Sequence, residues 1–507
     1  MSARSYFTAL SSVSYSSSPN MVEDDARERI GIAKQFRSIL MCSMTIWLPN
    51  PDALTPPLHI SLAEAIAKAI SDGQLAQGTQ LLTHRKMAEE LGLSVHTVSK
   101  AYENLRRQRL IDGQVGRGSY VLDPEAANDQ PFKLSSERND EFDLSISRPT
   151  FSHEHVERFQ QALKELPNGL DPSYFLSCRP NAGHDAHRAA GVKWLEHCGL
   201  EASPERIIMT NGVSHGMSAA LSALTRPGDT VVTGKMTHHL LVSGCSYLGL
   251  NLVGLDVDAD GLLPEALDRQ CREGHAKVLF LLPSLANSTV EMMPEERRVA
   301  LVEVARRHGL HIIENDALGP VAEDRPTPVA ALAPERTIYL TTFTKCTVSG
   351  LRAGYMVAPE HLLPALTGRI VVFGWMATPL MCELATRWVL DGTAMELVHW
   401  QRRALAERYE IASQILQGHD WLGHPSALHL WLPLPEGWTT SSFTTYARQL
   451  KVSVAPDAPF LTPQATSRDA VRVSLGSVQE LNRFKQAMNL ISEMLSRAPD
   501  GVASVVY

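Results

Sequence analysis

A lysine flanked by hydroxyl residues and an arginine stands out in the C-terminal half of the sequence. Lys345 follows the apolar run 337–340, which is typical of a buried strand. An amine held at a strand end can form a Schiff base with an aldehyde cofactor. Thr342 and Thr344 could donate hydroxyls to a phosphate, and the planar guanidinium of Arg352 could clamp it. The alternative is an ordinary loop lysine, so the rest of the chain must decide.

Other candidate side chains follow apolar runs that alternate with helical segments from about residue 141. This alternation predicts an α/β fold, in which the carboxyl ends of successive strands meet in one crevice. The runs are 206–211, 230–233, 277–282 and 309–314. The residues after them are Gly212, Val213, Ser214, His238, Asn287 and Asp316. We therefore expect these residues to converge with Lys345.

Each of these residues suits one part of a phosphorylated pyridine aldehyde. Gly212, Val213 and Ser214 open a predicted helix, whose N-terminus could cradle the phosphate. Asp316 could keep the ring nitrogen protonated, which makes the ring an electron sink. Asn287 could donate to the ring oxygen, and His238, or His239, could stack on the ring face. Asp316 could equally cap a helix or turn, and Asn287 could be a turn residue.

The preceding part of the chain predicts a compact helical unit over 51–122. Apolar spacing indicates three helices, the second capped by Thr83 and the third by Ser94. Residues 110–122 read as a hairpin with Arg117 at its tip. Residues 1–50 are predicted to be disordered or an extended N-terminus, 123–140 a linker, and 141–500 the second domain, with a smaller part from about 370.

A helix, a turn, a second helix and a wing form an arrangement that docks on DNA. Residues 55–122 carry eight basic and six acidic residues, whereas the whole chain has a net charge of −8. Residues predicted to face DNA are Arg85, Ser94, His96, Thr97, Ser99, Lys100 and Arg117. A small protein-interaction module is the alternative. For His96, contact with a base, a phosphate or only solvent all stay open.

This unit resembles the winged-helix domain of the GntR regulators. The resemblance is carried by Leu82-Thr83-His84-Arg85, Leu91-Gly92-Leu93-Ser94, Thr97-Val98-Ser99-Lys100-Ala101-Tyr102 and Gly116-Arg117-Gly118. The family usually has Leu-Pro-Ser/Thr-x-Arg where this chain has Leu82-Thr83-His84-Arg85, and the missing proline implies a softer start of the second helix. The resemblance implies binding to double-stranded DNA.

Residues 141–495 resemble fold-type I, aminotransferase-like proteins that bind pyridoxal 5'-phosphate. The similar segments are Glu314-Asn315-Asp316 and the stretch from Thr342 to Tyr355. The resemblance implies that Arg472 binds an effector carboxylate, although a structural ion pair is the alternative. Where the family usually has tyrosine after the aspartate and as the stacking residue, this chain has Ala317 and His238. These departures imply slower proton transfer and less efficient turnover.

A GntR winged helix joined to such a domain is the architecture of the MocR subfamily. The implied fold class is therefore multidomain, with an α+β winged helix-turn-helix and a C-terminal α/β domain. The implied function is a transcription regulator that forms a head-to-tail homodimer and senses an amine or amino acid through the cofactor. A working aminotransferase with a DNA-binding arm is the second hypothesis. A regulator whose pocket has lost the cofactor is the third.

Composition places this chain among ordinary globular proteins. Of its residues, 44% are hydrophobic and 20% are charged, which is the usual balance of a globular protein. The length of 507 residues is enough for two or three domains. The seven cysteines are scattered without CxxC spacing, so we expect a reducing, cytoplasmic location and neither a disulfide framework nor a metal site. The sequence has no apolar run near the roughly 20 residues of a spanning helix and no signal pattern.

Overall fold

The computed structural model describes residues 47–76, 78–107, 110–114, 118–121, 141–274, 276–286 and 289–497. The predicted N-terminal segment up to residue 46, the linker at 123–140, Arg117 and Asn287 lie outside these ranges. The described residues divide into two compact units, one ending at Val121 and the other beginning at Glu141.

Three helices and a small sheet form the first unit. They are α1 (Leu58–Ser71), α2 (His84–Leu91), α3 (Val95–Arg107), β1 (Gln80–Leu81), β2 (Ile111–Gln114) and β3 (Gly118–Val121). The buried face of α1 carries Leu62 and Ile66, which pack in one cluster with Val98 and Tyr102 of α3. The antiparallel sheet has the order β1-β3-β2. The short strand β1 was not expected from the sequence.

Side-chain caps begin both helices of the helix-turn-helix, as predicted. The Lys86 amide donates to Thr83 Oγ1 at 3.3 Å, and the Thr97 amide donates to Ser94 Oγ at 3.0 Å. Between the helices, Gly92 adopts a left-handed conformation with φ 64°, which ends α2. The Tyr102 hydroxyl donates to the Leu82 carbonyl at 2.8 Å and fixes α3 against the start of α2. The caps therefore form without the proline that the GntR family usually has.

A seven-stranded sheet with helices on both faces forms the centre of the second unit. Its order is β5-β13-β12-β11-β10-β6-β7. These strands are β5 (Ile207–Thr210), β6 (Thr230–Gly234), β7 (Asn251–Leu255), β10 (Ala276–Leu281), β11 (His311–Asn315), β12 (Thr337–Thr342) and β13 (Gly354–Val357), while β4 (Phe142–Asp143), β8 (Val257–Asp258) and β9 (Gly261–Leu262) lie outside the sheet. The strand β13 is antiparallel to both neighbours, which the alternating pattern did not predict.

The helices of this unit flank the sheet and continue into a smaller part. They are α4 (His153–Glu165), α5 (Ser173–Leu176), α6 (Asp185–His197), α7 (Val213–Leu224), α8 (His239–Tyr247), α9 (Pro264–Glu273), α10 (Glu295–His308), α11 (Val329–Leu332), α12 (Leu363–Gly374), α13 (Pro379–Leu390), α14 (Thr393–Ile415), α15 (Thr440–Gln449) and α16 (Leu481–Leu495). The smaller part holds the strands β14 (His429–Pro433), β15 (Val452–Ser453), β16 (Ala455–Pro456) and β17 (Ala470–Ser474). The early strand β4 pairs with β15, so residues near 142 join the smaller part.

The antiparallel strand β13 begins at a glycine because the backbone there is crowded. A Cβ atom at Gly354 would lie 2.4 Å from the Thr341 carbonyl oxygen and 3.3 Å from the Gly212 Cα atom. The strand therefore passes directly beside the start of α7. A side chain at this position would push β13 away from β12 and from the start of α7.

We predict that Gly354→Ala lowers the free energy of unfolding by about 1–3 kcal/mol, because overpacking forces the backbone to shift. Gly350→Ala is the matched control, since a Cβ atom at Gly350 would meet nothing within 4 Å. Urea denaturation of both variants checks the prediction. Equal stability of Gly354→Ala and Gly350→Ala would contradict the close approach.

Candidate functional sites

The N-terminus of α7 lies beside the loop after β12, and we call this place the anion cradle because its groups suit an anion. Gly212 precedes the helix with φ 82°, and a Cβ atom there would lie 3.1 Å from Arg352 Nη2 and 3.5 Å from Thr342 Oγ1. Arg352 donates to Thr344 Oγ1 at 3.2 Å and to the Asn211 carbonyl at 3.1 Å. Val213 and Ser214 form the first turn of the helix. The structure thus brings together every residue that the sequence predicted for a phosphate.

Lys345 lies beside this cradle, half-buried, in the loop after β12. Its ammonium group donates to the Ser147 carbonyl. Burial lowers the pKa of Lys345 to about 8, and the nearby positive charges of Arg472 and Arg352 contribute to the shift. A lower pKa gives a larger fraction of neutral amine at neutral pH, and the neutral amine is the nucleophile.

Two stacked histidines lie near Lys345. His238 caps α8 by accepting a hydrogen bond from the Leu240 amide at 3.3 Å, and its ring stacks on His239 with centroids 4.6 Å apart. Burial lowers the pKa of His238 well below its usual value, helped by His239 and Lys345. Burial also lowers the pKa of His239 to about 3. Both rings are therefore neutral and suited to contact with an aromatic group.

Arg472 of β17 is buried on the side of the site that belongs to the smaller part. Its guanidinium donates to the Ser145 carbonyl at 3.1 Å and lies 4.6 Å from the centre of the Phe460 ring. Burial lowers the pKa of Arg472 to about 9. The segment 145–147, which sequence reasoning did not single out, therefore links Arg472 to Lys345 through two of its carbonyl groups.

The carboxylate of Asp316 is engaged elsewhere, contrary to the role expected from the sequence. One oxygen accepts from the Gly319 amide at 3.1 Å, and the other accepts from Arg325 and from the Tyr339 hydroxyl. Asp316 and Arg325 are 2% and 7% exposed, so this ion pair is buried. Asp316 and Tyr339 outweigh the effect of burial on Arg325 and raise the pKa of its guanidinium. These hydrogen bonds fit the alternative role of Asp316, the cap of a turn, better than the role of a partner for the ring nitrogen.

Strand alternation places Asn315, and not Asp316, on the face of the sheet that carries the cradle. Ile313 shares a hydrophobic cluster with Val213 and Met217 of α7. Side chains alternate along a strand, so Asn315 lies on this same face and Glu314 on the other. Glu314 accepts from the amides of Val329 and Ala330 at 3.1 and 2.7 Å, on the opposite side of the sheet. Sequence reasoning missed Asn315, although an alternation count from Ile313 would have found it.

Six of the seven residues predicted to face DNA lie in the described ranges, on α2, on α3 and in the turn between them. Arg85, His96 and Lys100 are exposed. Ser94 and Thr97 bond to each other at the start of α3, with their hydroxyl oxygens 2.8 Å apart. Ser99 Oγ lies 3.0 Å from His84 Nδ1, so it also ties α3 to α2.

Within the described ranges, no helix is long and apolar enough to cross a membrane.

Comparison with known proteins identifies the families to which the two parts of the chain are similar. Residues 139–488 match the family described as aminotransferase class I and II, and residues 60–121 match the bacterial regulatory proteins of the gntR family. The uncharacterized HTH-type transcriptional regulator YdeF of Bacillus subtilis is 25% identical over 450 residues, which cover 89% of this chain and 96% of YdeF. The probable rhizopine catabolism regulatory protein MocR of Rhizobium meliloti is 24% identical, over 72% of this chain and 79% of MocR.

Among solved structures, the kynurenine aminotransferase of Pyrococcus horikoshii has a TM-score of 0.65 at 20% identity, over 74% of this chain and 96% of that one. This likeness extends to the fold alone. The multidomain fold class predicted from the sequence is confirmed. The chain belongs to the class I and II aminotransferase family and carries a gntR-family domain ahead of it, the combination by which its sequence resembles the MocR regulators.

Proposed function

We propose that this protein is a DNA-binding transcription regulator whose second unit holds pyridoxal 5'-phosphate at Lys345 and senses an amine or amino acid. The observation that carries the proposal is the amine of Lys345, with its pKa lowered to about 8, beside an anion cradle. The gntR-family domain in the same chain supports the regulatory role. When bound, the cofactor supplies an aldehyde carbon that can exchange one amine for another.

The residues present fit this cofactor. Gly212, Val213, Ser214, Thr342, Thr344 and Arg352 would hold the phosphate, since a helix N-terminus, hydroxyls and a guanidinium all suit a dianion. His238 would lie against the ring. Asn287 would donate to the ring oxygen, as the sequence predicts. Arg472 would bind the carboxylate of an amino-acid effector, because a buried guanidinium gains most from a charged partner.

An effector must bind two states of the protein with different affinity if it is to change DNA binding. The link between Arg472 and Lys345 offers a route for this difference. Ser145 and Ser147 belong to the segment that enters the second unit, and their carbonyl groups bond to these two side chains. An effector that occupies both side chains would compete with these bonds and release the segment.

A head-to-tail homodimer in the cytoplasm completes the proposal. Exposed apolar side chains support a protein interface: Leu176 of α5 is 77% exposed and Trp375 is 52% exposed. The segments that carry Leu176 and Trp375 lie close together, because the Asn181 amide donates to the carbonyl groups of Cys178 and Trp375. The six described cysteines are free thiols, which supports a reducing location.

We predict that Lys345→Ala removes the absorption band that pyridoxal 5'-phosphate gains when it bonds to the protein. In the unchanged protein, the rate of cofactor uptake should rise with pH and level off above about 8, because only the neutral amine reacts. The measurement is stopped-flow absorbance with borohydride fixation. Lys193→Ala, at an exposed lysine of α6, is the control. Identical spectra for Lys345→Ala and the control would remove the cofactor site.

A second prediction concerns Arg472. Arg472→Met should weaken binding of alanine about tenfold or more, because a hydrogen bond to a charged group is lost, and leave ethylamine nearly unchanged. Titration of the cofactor-loaded protein by absorbance measures both affinities. Arg403→Met, at an exposed arginine of α14, is the control. Equal losses for alanine and ethylamine would assign Arg472 a structural role.

A third prediction tests DNA binding. Lys100→Ala should weaken binding to a duplex and reduce the slope of log affinity against log salt concentration by about 0.9, since one phosphate contact is lost. Lys68→Ala, at an exposed lysine on α1, is the matched control. Fluorescence anisotropy over a salt series gives the slopes. Should the two variants have the same slope as the unchanged protein, the face around α3 is not the DNA-binding face.

A further inference from the structure

The amide of Asn315 is buried without a partner at the end of β11. The residue is 2% exposed, and neither Nδ2 nor Oδ1 has a hydrogen-bond partner among the described residues. An amide that is buried without a partner is costly, and such groups are rare in native proteins. Asn315 therefore needs a partner that the polypeptide described here does not provide.

The surroundings of Asn315 indicate the chemistry of that partner. Asn315 pairs in register with Leu340 of β12, and Thr342 lies two residues further along β12 on the same face. Thr342 is part of the anion cradle beside Gly212. The amide thus lies at the carboxyl end of the central strand, on the face where a cofactor held by the cradle and by Lys345 would lie.

An amide and a carboxylate treat a pyridine nitrogen differently. A carboxylate stabilises the protonated ring, and Asp316 could have done so, but its charge is used by Arg325 on the other face. An amide brings no charge, and its N–H group can donate a hydrogen bond to an unprotonated nitrogen. An unprotonated pyridine is a poor electron sink, because it would have to accept electrons without a positive charge.

We propose, on the basis of the function proposed above, that Asn315 Nδ2 donates to the unprotonated ring nitrogen of pyridoxal 5'-phosphate. The site then exchanges amines but does not drive chemistry at their α-carbon. In the exchange, the effector nitrogen forms the new C=N bond while the C=N bond to Lys345 Nζ breaks. The two protons of the incoming amine end on Lys345, which leaves as a neutral amine. This step needs no oxidant, and the effector is bound without being consumed.

The direct test is the ¹⁵N chemical shift of the ring nitrogen in protein loaded with ¹⁵N-labelled pyridoxal 5'-phosphate. We expect the shift of an unprotonated pyridine in the unchanged protein and that of a protonated pyridine in Asn315→Asp. A protonated ring in the unchanged protein would overturn the proposal for Asn315. Failure to take up the cofactor at all would instead overturn the function proposed above, and absorbance distinguishes the two results.

A second measurement guards against misfolding of Asn315→Asp. The unchanged protein should bind pyridoxal 5'-phosphate about two- to tenfold more tightly than its 1-deaza analogue, which lacks the ring nitrogen, because one hydrogen bond is lost. Asn315→Ala should bind the two compounds equally. Thr341→Val is the matched control, since the alternating side chain of Thr341 lies on the opposite face near Trp194. A preference that survives in Asn315→Ala would overturn the proposal.

Discussion

Alternation along the two central strands decides which side chains can reach the site. Neighbouring residues of β11 and β12 point to opposite faces, and a shift of one residue would exchange every partner. On one face lie Ile313, Asn315 and Thr342, toward α7 and its cradle. On the other face lie Glu314 and Tyr339, in hydrogen bonds that hold neighbouring segments. The chemistry of the site therefore depends on the alternation of side chains between the two faces of the sheet.

The polar groups on the second face form a structural network. Asp316 accepts from Arg325, and Arg325 also donates to the carbonyl groups of Gly319 and Cys198. Burial raises the pKa of Tyr339 well above its usual value, assisted by Asp316, so the hydroxyl keeps the proton that it donates. Removal of one partner from a buried ion pair costs about 3–5 kcal/mol. Asp316 is thus fixed to the chain after β11 and to the end of α6.

Local patterns in the sequence predict much of this architecture but leave the faces unassigned. The capped helices at Thr83 and Ser94 and the closing helix α16 follow from residue types that act within a few positions. The antiparallel strand β13 and the pairing of β4 with β15 depend on contacts between distant residues, which short patterns do not contain. Asp316 was expected to bind the ring because aspartate is the residue type that such chemistry uses. Arg325, nine residues away, decides otherwise.

The effector site of the second unit has to serve the DNA-binding function of the first. A DNA-binding regulator needs an effector site that fills and empties reversibly, so consumption of the effector would be a loss of signal. Lys345 supplies a reactive amine, since burial and the charges of Arg472 and Arg352 lower its pKa to about 8. A carboxylate at the ring nitrogen would keep the ring protonated and so allow turnover of the captured amine. The amide of Asn315 contributes only a hydrogen bond that helps to bind the cofactor. A single strand position therefore separates a site that holds amines from one that transforms them.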